Sequence, residues 1–248
     1  MGAFFEDKAR LRFDRRKTGH SVLTRFDQQY VVVDDMVFDI DATTDVEIRA
    51  FTGAKWPNGE VFFEYAPGLS TTKKSKFKKA CKEWSSVSKV KFTPRSGQDG
   101  YIYVESASVN QASVGYADKR RLFQITSWGN HIIIAHELGH TLGLSHEHCR
   151  SDRDTYVKIH LDNIPDNLES NFAKRTTVNY SVYDFESIMH YDRFAFAQNS
   201  SKPTISAQSG YQSMESLMGN RNHLSSNDKA DMAARYGAPV KAARSSRL

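Results

Sequence analysis

The segment His136-Glu137-Leu138-Gly139-His140-Thr141-Leu142-Gly143-Leu144-Ser145-His146-Glu147 narrows what this chain can become more than any other. Successive helical residues turn by about 100°, so His136 and His140 stand about 40° apart on one helix face. Two imidazoles one turn apart can reach a single metal ion. Glu137 sits beside them, displaced enough to meet water rather than the metal. His146 cannot belong to the same straight helix, because it would point about 80° away and too far along the axis. The helix must stop and reverse, and Gly143 is where a left-handed backbone costs least. Three neutral histidines and one open position describe a catalytic zinc site, one ion per chain, since a structural site closes the fourth position. In a chain of this length the pattern arises by chance on the order of 10⁻⁵ times. A helix with surface histidines and no metal is the alternative that this frequency weighs against.

Ser187-Ile188-Met189-His190-Tyr191 lies downstream. The long histidine motif followed by such a methionine turn is the metzincin signature. Met189 can floor the metal site with a soft, apolar side chain, and Tyr191 can approach the metal and swing toward a developing oxyanion. Alone, both residues read as core packing; beside the zinc motif they read as parts of the site.

Hydrophobic residues at 39% and charged residues at 25% describe a globular chain with enough length for a core. No run approaches the roughly 20 apolar residues of a membrane helix. The net charge of +5 is concentrated near the ends, in residues 10–17 and 241–247, as expected of a solvated surface and tail; no nucleic-acid motif accompanies it. The first residues carry no apolar h-region, so no signal peptide is visible. Cys81 and Cys149 can form one bridge at most. Strands are expected at residues 30–33, 60–65, 90–93, 101–104 and 121–125, and helices at 70–86, 127–144 and 228–236. Without a regular βαβ rhythm, this order points to an α+β fold.

At these residues the chain resembles the astacin family of zinc metallopeptidases. Residues 150–157 resemble the family's stretch after the third histidine, residues 183–191 its Met-turn, and 56–59, 203–205 and 224–228 other parts of its catalytic domain. The resemblance spans about residues 54–237 and is to a bacterial-type member with an N-terminal pro-segment. It implies two lobes, the upper with a twisted, mostly parallel sheet and the active-site helix, the lower largely irregular. It implies zinc on His136, His140 and His146, with Tyr191 as a further ligand and Glu137 and Tyr191 as catalytic residues. A protein or peptide substrate is expected to add as an extended antiparallel strand to an edge strand within residues 109–115. The activity implied is endopeptidase cleavage, and the location is outside the cell. A silent or permanently latched zinc-binding module is the alternative.

The resemblance also divides the chain into a pro-segment (1–49), a catalytic domain (50–240) and a basic tail (241–248). In such zymogens a pro-segment aspartate faces the zinc. Val32-Val33-Asp34-Asp35-Met36 resembles that pattern and makes Asp35 the latch, with Asp39 as rival. Asp34 replaces the family's glycine. Cleavage at Arg49-Ala50 would free an amino terminus for Glu147, unless Glu147 pairs with Arg150 or Arg153 on its own loop. Family members often favour an acidic residue just after the cut, for which Arg193 or Arg221 are candidates. The two disulfides of animal members have no cysteines here, and Cys149 is expected to be a packed thiol. His20, His131, His148, His160, His190 and His223 are expected in core or surface roles.

Overall fold

Serine and asparagine side chains, glycine turns and the burial of apolar faces set the element boundaries in this computed structural model, which describes residues 21–25, 28–39 and 53–239. The N-terminal strands are β1 (Ser21–Arg25), β2 (Gln28–Val33) and β3 (Met36–Asp39). After them come β4 (Glu60–Tyr65), α1 (Thr71–Val87), β5 (Lys91–Pro94), β6 (Tyr101–Ser106), β7 (Gln111–Ser113) and β8 (Arg120–Ile125). The chain continues through α2 (His131–Thr141), β9 (Val157–Ile159), β10 (Ile205–Ala207) and α3 (Ser226–Tyr236).

Eight strands form one mixed, mostly parallel sheet in the order β1-β2-β3-β7-β8-β6-β4-β5. β5, β4, β6 and β8 run parallel, and β7 is antiparallel to β8. Ile102, Val104, Leu122, Phe123 and Ile125 are fully buried, as in parallel strands covered on both faces. β3 adds to β7 in parallel, with Met36 opposite Ala112 and Val37 opposite Ser113. The stretch expected to offer a free edge is therefore already paired in the intact chain.

In α1, Ser70 caps the first turn by accepting from the Lys73 N–H, and Phe77, Ala80, Cys81 and Trp84 form the buried face. The Trp84 indole donates to the Ala135 carbonyl at 2.8 Å, tying α1 to α2 within the main apolar core. The sequence expectation started α2 at residue 127. Instead Asn130 accepts from the Ile132 N–H and begins the helix at His131. At the other end Gly143, with φ of +93°, turns the chain back after Thr141.

Beyond α2 the chain is mostly short 3₁₀ turns around the β9–β10 pair, packed on a second core that includes Val157, Phe172, Tyr183, Phe185 and Tyr191. This is the two-lobed α+β arrangement expected. Cys81 and Cys149 are free and buried. No described helix is long and apolar enough to cross a membrane. The Arg49-Ala50 bond, His20 and residues 241–248 lie outside the described residues.

α3 is tied to the Met-turn by one carboxylate. Asp228 closes a capping box with Ser225, and it also accepts from the Ser187 hydroxyl at 2.6 Å and the Ile188 N–H at 3.0 Å. Replacing Asp228 with Ala removes these acceptors from a buried position. Asp228→Ala is expected to cost about 2–4 kcal/mol, read as a lower urea midpoint of the full chain.

Candidate metal centre

α2 presents His136 and His140 one turn apart, and the reversal at Gly143 returns His146 to the same point. One atom each from Asp35, His136, His140 and His146 lies within 4.8 Å of all the others. The Asp35 carboxylate is 3.0 Å from His136 Nε2 and 3.1 Å from both His140 Nε2 and His146 Nε2.

Each α2 imidazole is fixed from behind. His136 Nδ1 donates to the Ile188 carbonyl at 2.6 Å, and His140 Nδ1 donates to the Leu144 carbonyl at 2.9 Å. These bonds place the proton on Nδ1 and leave the Nε2 lone pair facing inward, as a metal requires. Burial lowers His136 to about 4 and His146 to about 3, so both rings are neutral. His140 Nε2 and His146 Nε2 are buried and face the Asp35 carboxylate, another acceptor, without a hydrogen bond to it. Inward-facing neutral imidazoles with unpaired acceptor atoms fit a zinc ion.

Met189 is buried beneath the group. A Cβ on Gly139 would lie 2.7 Å from the Met189 sulfur, so that position admits no side chain while the methionine keeps its place. The Glu147 N–H donates to the Met189 carbonyl at 3.0 Å, joining the third-histidine loop to the Met-turn.

Glu137 is buried, and its Oε2 has no partner. Burial, then the charges of Asp35 and Asp34, push its pKa well above the ordinary value. Burial and the neighbouring Asp34 raise Tyr191 far above an ordinary phenol, so it keeps its proton.

Asp34 and Asp35 form the two-residue turn of the β2–β3 hairpin, in which Val33 stands opposite Met36. Asp34 adopts φ of +57°, a conformation that aspartate tolerates better than most residues and that the family's glycine reaches freely. The Tyr191 hydroxyl donates to the Asp34 carboxylate, while Asp35 faces the three imidazoles. The rival Asp39 is elsewhere: it pairs with Arg121 and with Lys119, the latter at 3.0 Å. The sequence alone assigns Asp34 no role of its own, because the Tyr191 contact depends on a fold that brings residues 34 and 191 together.

Glu147 accepts from Arg150 at 2.9 Å and from the Asp184 N–H at 2.8 Å, which is the own-loop pairing left open by the sequence. Burial raises Glu147 to about 8 against the pull of Arg150. A cavity of about 60 Å³ adjoins it, lined in part by Gly143, Tyr180, Asp231 and Arg235. Of the two arginines considered for an acidic pocket, Arg193 is tied to Glu215 at 2.9 Å, whereas Arg221 acts electrostatically on Asp35 and Glu137.

The other histidines hold the surroundings. His148 stacks on Tyr191 with ring centroids 3.8 Å apart, His190 meets the Tyr183 hydroxyl at 2.7 Å, and His131 meets Glu83 at 3.1 Å. The Cys149 thiol is packed against His148 and Asn171.

Comparisons with known proteins give the family. Residues 49–237 match the family model of astacin, a peptidase family. Zinc metalloproteinase nas-14 of Caenorhabditis elegans is 31% identical over 87% of this chain and 44% of its own length. The low choriolytic enzyme of Oryzias latipes is 36% identical over 58% of this chain and 56% of its own. The chain thus spans about half the length of these relatives. Among solved structures, high choriolytic enzyme 1 of Oryzias latipes, a hatching enzyme zinc-protease, aligns with a TM-score of 0.69 at 28% identity. That alignment covers 80% of this chain and all of the medaka chain. The bacterial-type likeness is not borne out, since the curated relatives named here are animal proteins. On the family model and the nematode relative alike, the chain belongs to the astacin family of peptidases.

Proposed function

We propose that this chain is a zinc-dependent endopeptidase acting outside the cell, made as a zymogen in which residues 1–49 block the site. The observation that carries this reading is the convergence of three inward-facing imidazoles, beside a buried unpaired glutamate, on a carboxylate from the N-terminal hairpin. His136, His140 and His146 would hold the ion, which when bound supplies Lewis acidity toward water and a peptide carbonyl.

The remaining work falls to the chain's own groups. Glu137, with its raised proton affinity, takes a proton from the attacking water and returns it to the leaving amine. Tyr191, a held O–H donor, turns from Asp34 to the carbonyl oxygen as negative charge grows there. Met189 and Gly139 fix the floor under the histidines. An extended substrate takes the edge of β7 in place of β3, pairing backbone to backbone. β3 runs parallel to β7, the reverse of the antiparallel substrate strand, so the latch occupies the cleft without entering as a substrate.

Asp35 is the latch because a carboxylate on the imidazole group excludes water from that position. Removal of residues 1–49 frees the cleft, and the cavity beside Glu147 receives the new amino terminus. The free cation would then compete with Arg150 for a buried carboxylate.

The test uses the full zinc-loaded chain with a site-specific protease sequence built into residues 46–49, assayed on casein before and after the cut. The intact chain is expected to be silent and the cut chain active, with chelation abolishing the activity. Glu137→Gln should lower kcat of the cut chain by at least about 10²-fold. A second set of measurements addresses the latch: Asp35→Ala in the uncut chain should release casein hydrolysis, whereas Asp39→Ala should release much less. Activity in the uncut wild-type chain would refute latency, and a folded, zinc-loaded cut chain that hydrolyses nothing would refute the enzyme in favour of a binding module.

A further inference from the structure

Arg121 lies on β8 immediately behind the strand that β3 covers, and its side chain is 2% exposed. Its guanidinium donates from Nη2 to the Val114 carbonyl at 2.8 Å and from Nη1 to the Asp39 carboxylate, while Nε has no partner. Lys119 meets the same carboxylate from the partly exposed side, at 3.0 Å. A buried cation in the body of the protein thus draws its counter-charge from the hairpin that must leave for the cleft to open. Departure of the hairpin leaves the guanidinium without its anion, at a position that another carboxylate can then take.

We infer that Arg121, with Lys119 beside it, is a binding site for an acidic side chain of the substrate, filled by Asp39 in the intact chain. This rests on the proposed peptidase reading and adds the substrate's chemistry to it. The Asp35 carbonyl accepts from the Ala112 N–H at 2.9 Å, and the Val37 carbonyl from the Val114 N–H at 3.0 Å. A peptide that replaces β3 meets those same groups of β7. Running antiparallel to β7, it enters from the Gly115 end and presents its cut bond where Asp35 now faces the imidazoles. Residues before the cut therefore lie along the stretch from Val37 to Asp39, and Asp39 is four positions from Asp35. The site accordingly reads the third or fourth residue before the cut. It is separate from any pocket for the residue after the cut, because the register with β7 puts Asp39 along the residues before it.

The test uses the full chain cut at the engineered site, with paired peptides carrying Glu or Gln at each of four positions on either side of one scissile bond. Glu at the third or fourth position before the cut should raise kcat/KM at least about tenfold over Gln. Arg121→Gln should bring that ratio close to one, and a Glu137→Gln chain should show the same ratio in the affinity of the uncut peptides. Since Arg121→Gln removes a buried charge and can unfold the chain, the charge swap Asp39→Arg with Arg121→Asp keeps the pair intact in the zymogen. Once cut, it should prefer Lys over Glu at the same position. No acid preference in the wild type, preference only after the cut, or a charge swap that leaves the preference unchanged would overturn the inference alone. Failure to cut any peptide would overturn it together with the peptidase reading.

Discussion

Three buried imidazoles aimed at one point are costly to assemble, and most of the surrounding structure exists to hold them there. Two come at no conformational expense from one face of α2, while the third requires the helix to end within a few residues and the chain to fold back. Gly143 supplies that reversal at φ of +93°, with the Arg235 side chain and the Gly53 carbonyl packed where a Cβ would stand. The returning loop is then bonded to the Met-turn through Glu147 and Met189, and the Met-turn to α3 through Asp228. Backbone carbonyls of residues 188 and 144 complete the arrangement by orienting two of the rings. Those two bonds come from the chain itself and turn each Nε2 toward the common point, as a metal requires.

The helical parts of this design were legible in the sequence because they are local. The spacing of Phe77, Ala80, Cys81 and Trp84 defined α1, and the spacing of His136, Gly143 and His146 required a reversal that the structure contains. The boundary error at the start of α2 has a simple cause: apolar periodicity does not register that Asn130 caps a helix more readily than Ser127 or Trp128 extends one. The short strands β3, β9 and β10 escaped because each is four residues or fewer and makes sense only through a distant partner, while β7 was expected only through the family resemblance. Residues 36–39 looked like part of an acidic stretch. Their parallel pairing with a strand more than seventy positions away leaves no periodic mark. Candidate site residues fared similarly: motif spacing singled out the histidines and Glu137, whereas Arg121 carried no signal until Asp39 lay beside it.

Asp34 illustrates how a departure from a family pattern can be absorbed by a new contact. A glycine would reach positive φ without strain, and aspartate is among the few other residues that do so at modest cost. Here that cost is offset by a hydrogen bond from the Tyr191 hydroxyl, which engages the very group assigned to the developing oxyanion. In the proposed zymogen the two adjacent carboxylates therefore divide the site between them, Asp35 facing the imidazoles and Asp34 holding the tyrosine.

The form of the proposed latch would let a peptidase harbour its own inhibitor. A chain lying in the cleft as a substrate would offer a carbonyl carbon to the attacking water. Residues 34 and 35 instead enter as the tip of a two-residue hairpin, with Val33 paired to Met36 directly behind them. The tip presents side-chain oxygens first, and its backbone is folded away into the β2–β3 ladder. Parallel pairing of β3 with β7 further opposes the direction that an antiparallel substrate requires. In the proposed zymogen the hairpin thus takes the backbone edge of β7 and the Arg121–Lys119 pair without placing a peptide bond in line for attack. Inhibition by this route depends on the ladder remaining zipped, because an opened hairpin would expose the Asp34-Asp35 bond beside Glu137. The pairing of Asp39 with Arg121 and Lys119 stands at the open end of β3, where it pins the strand against such unzipping.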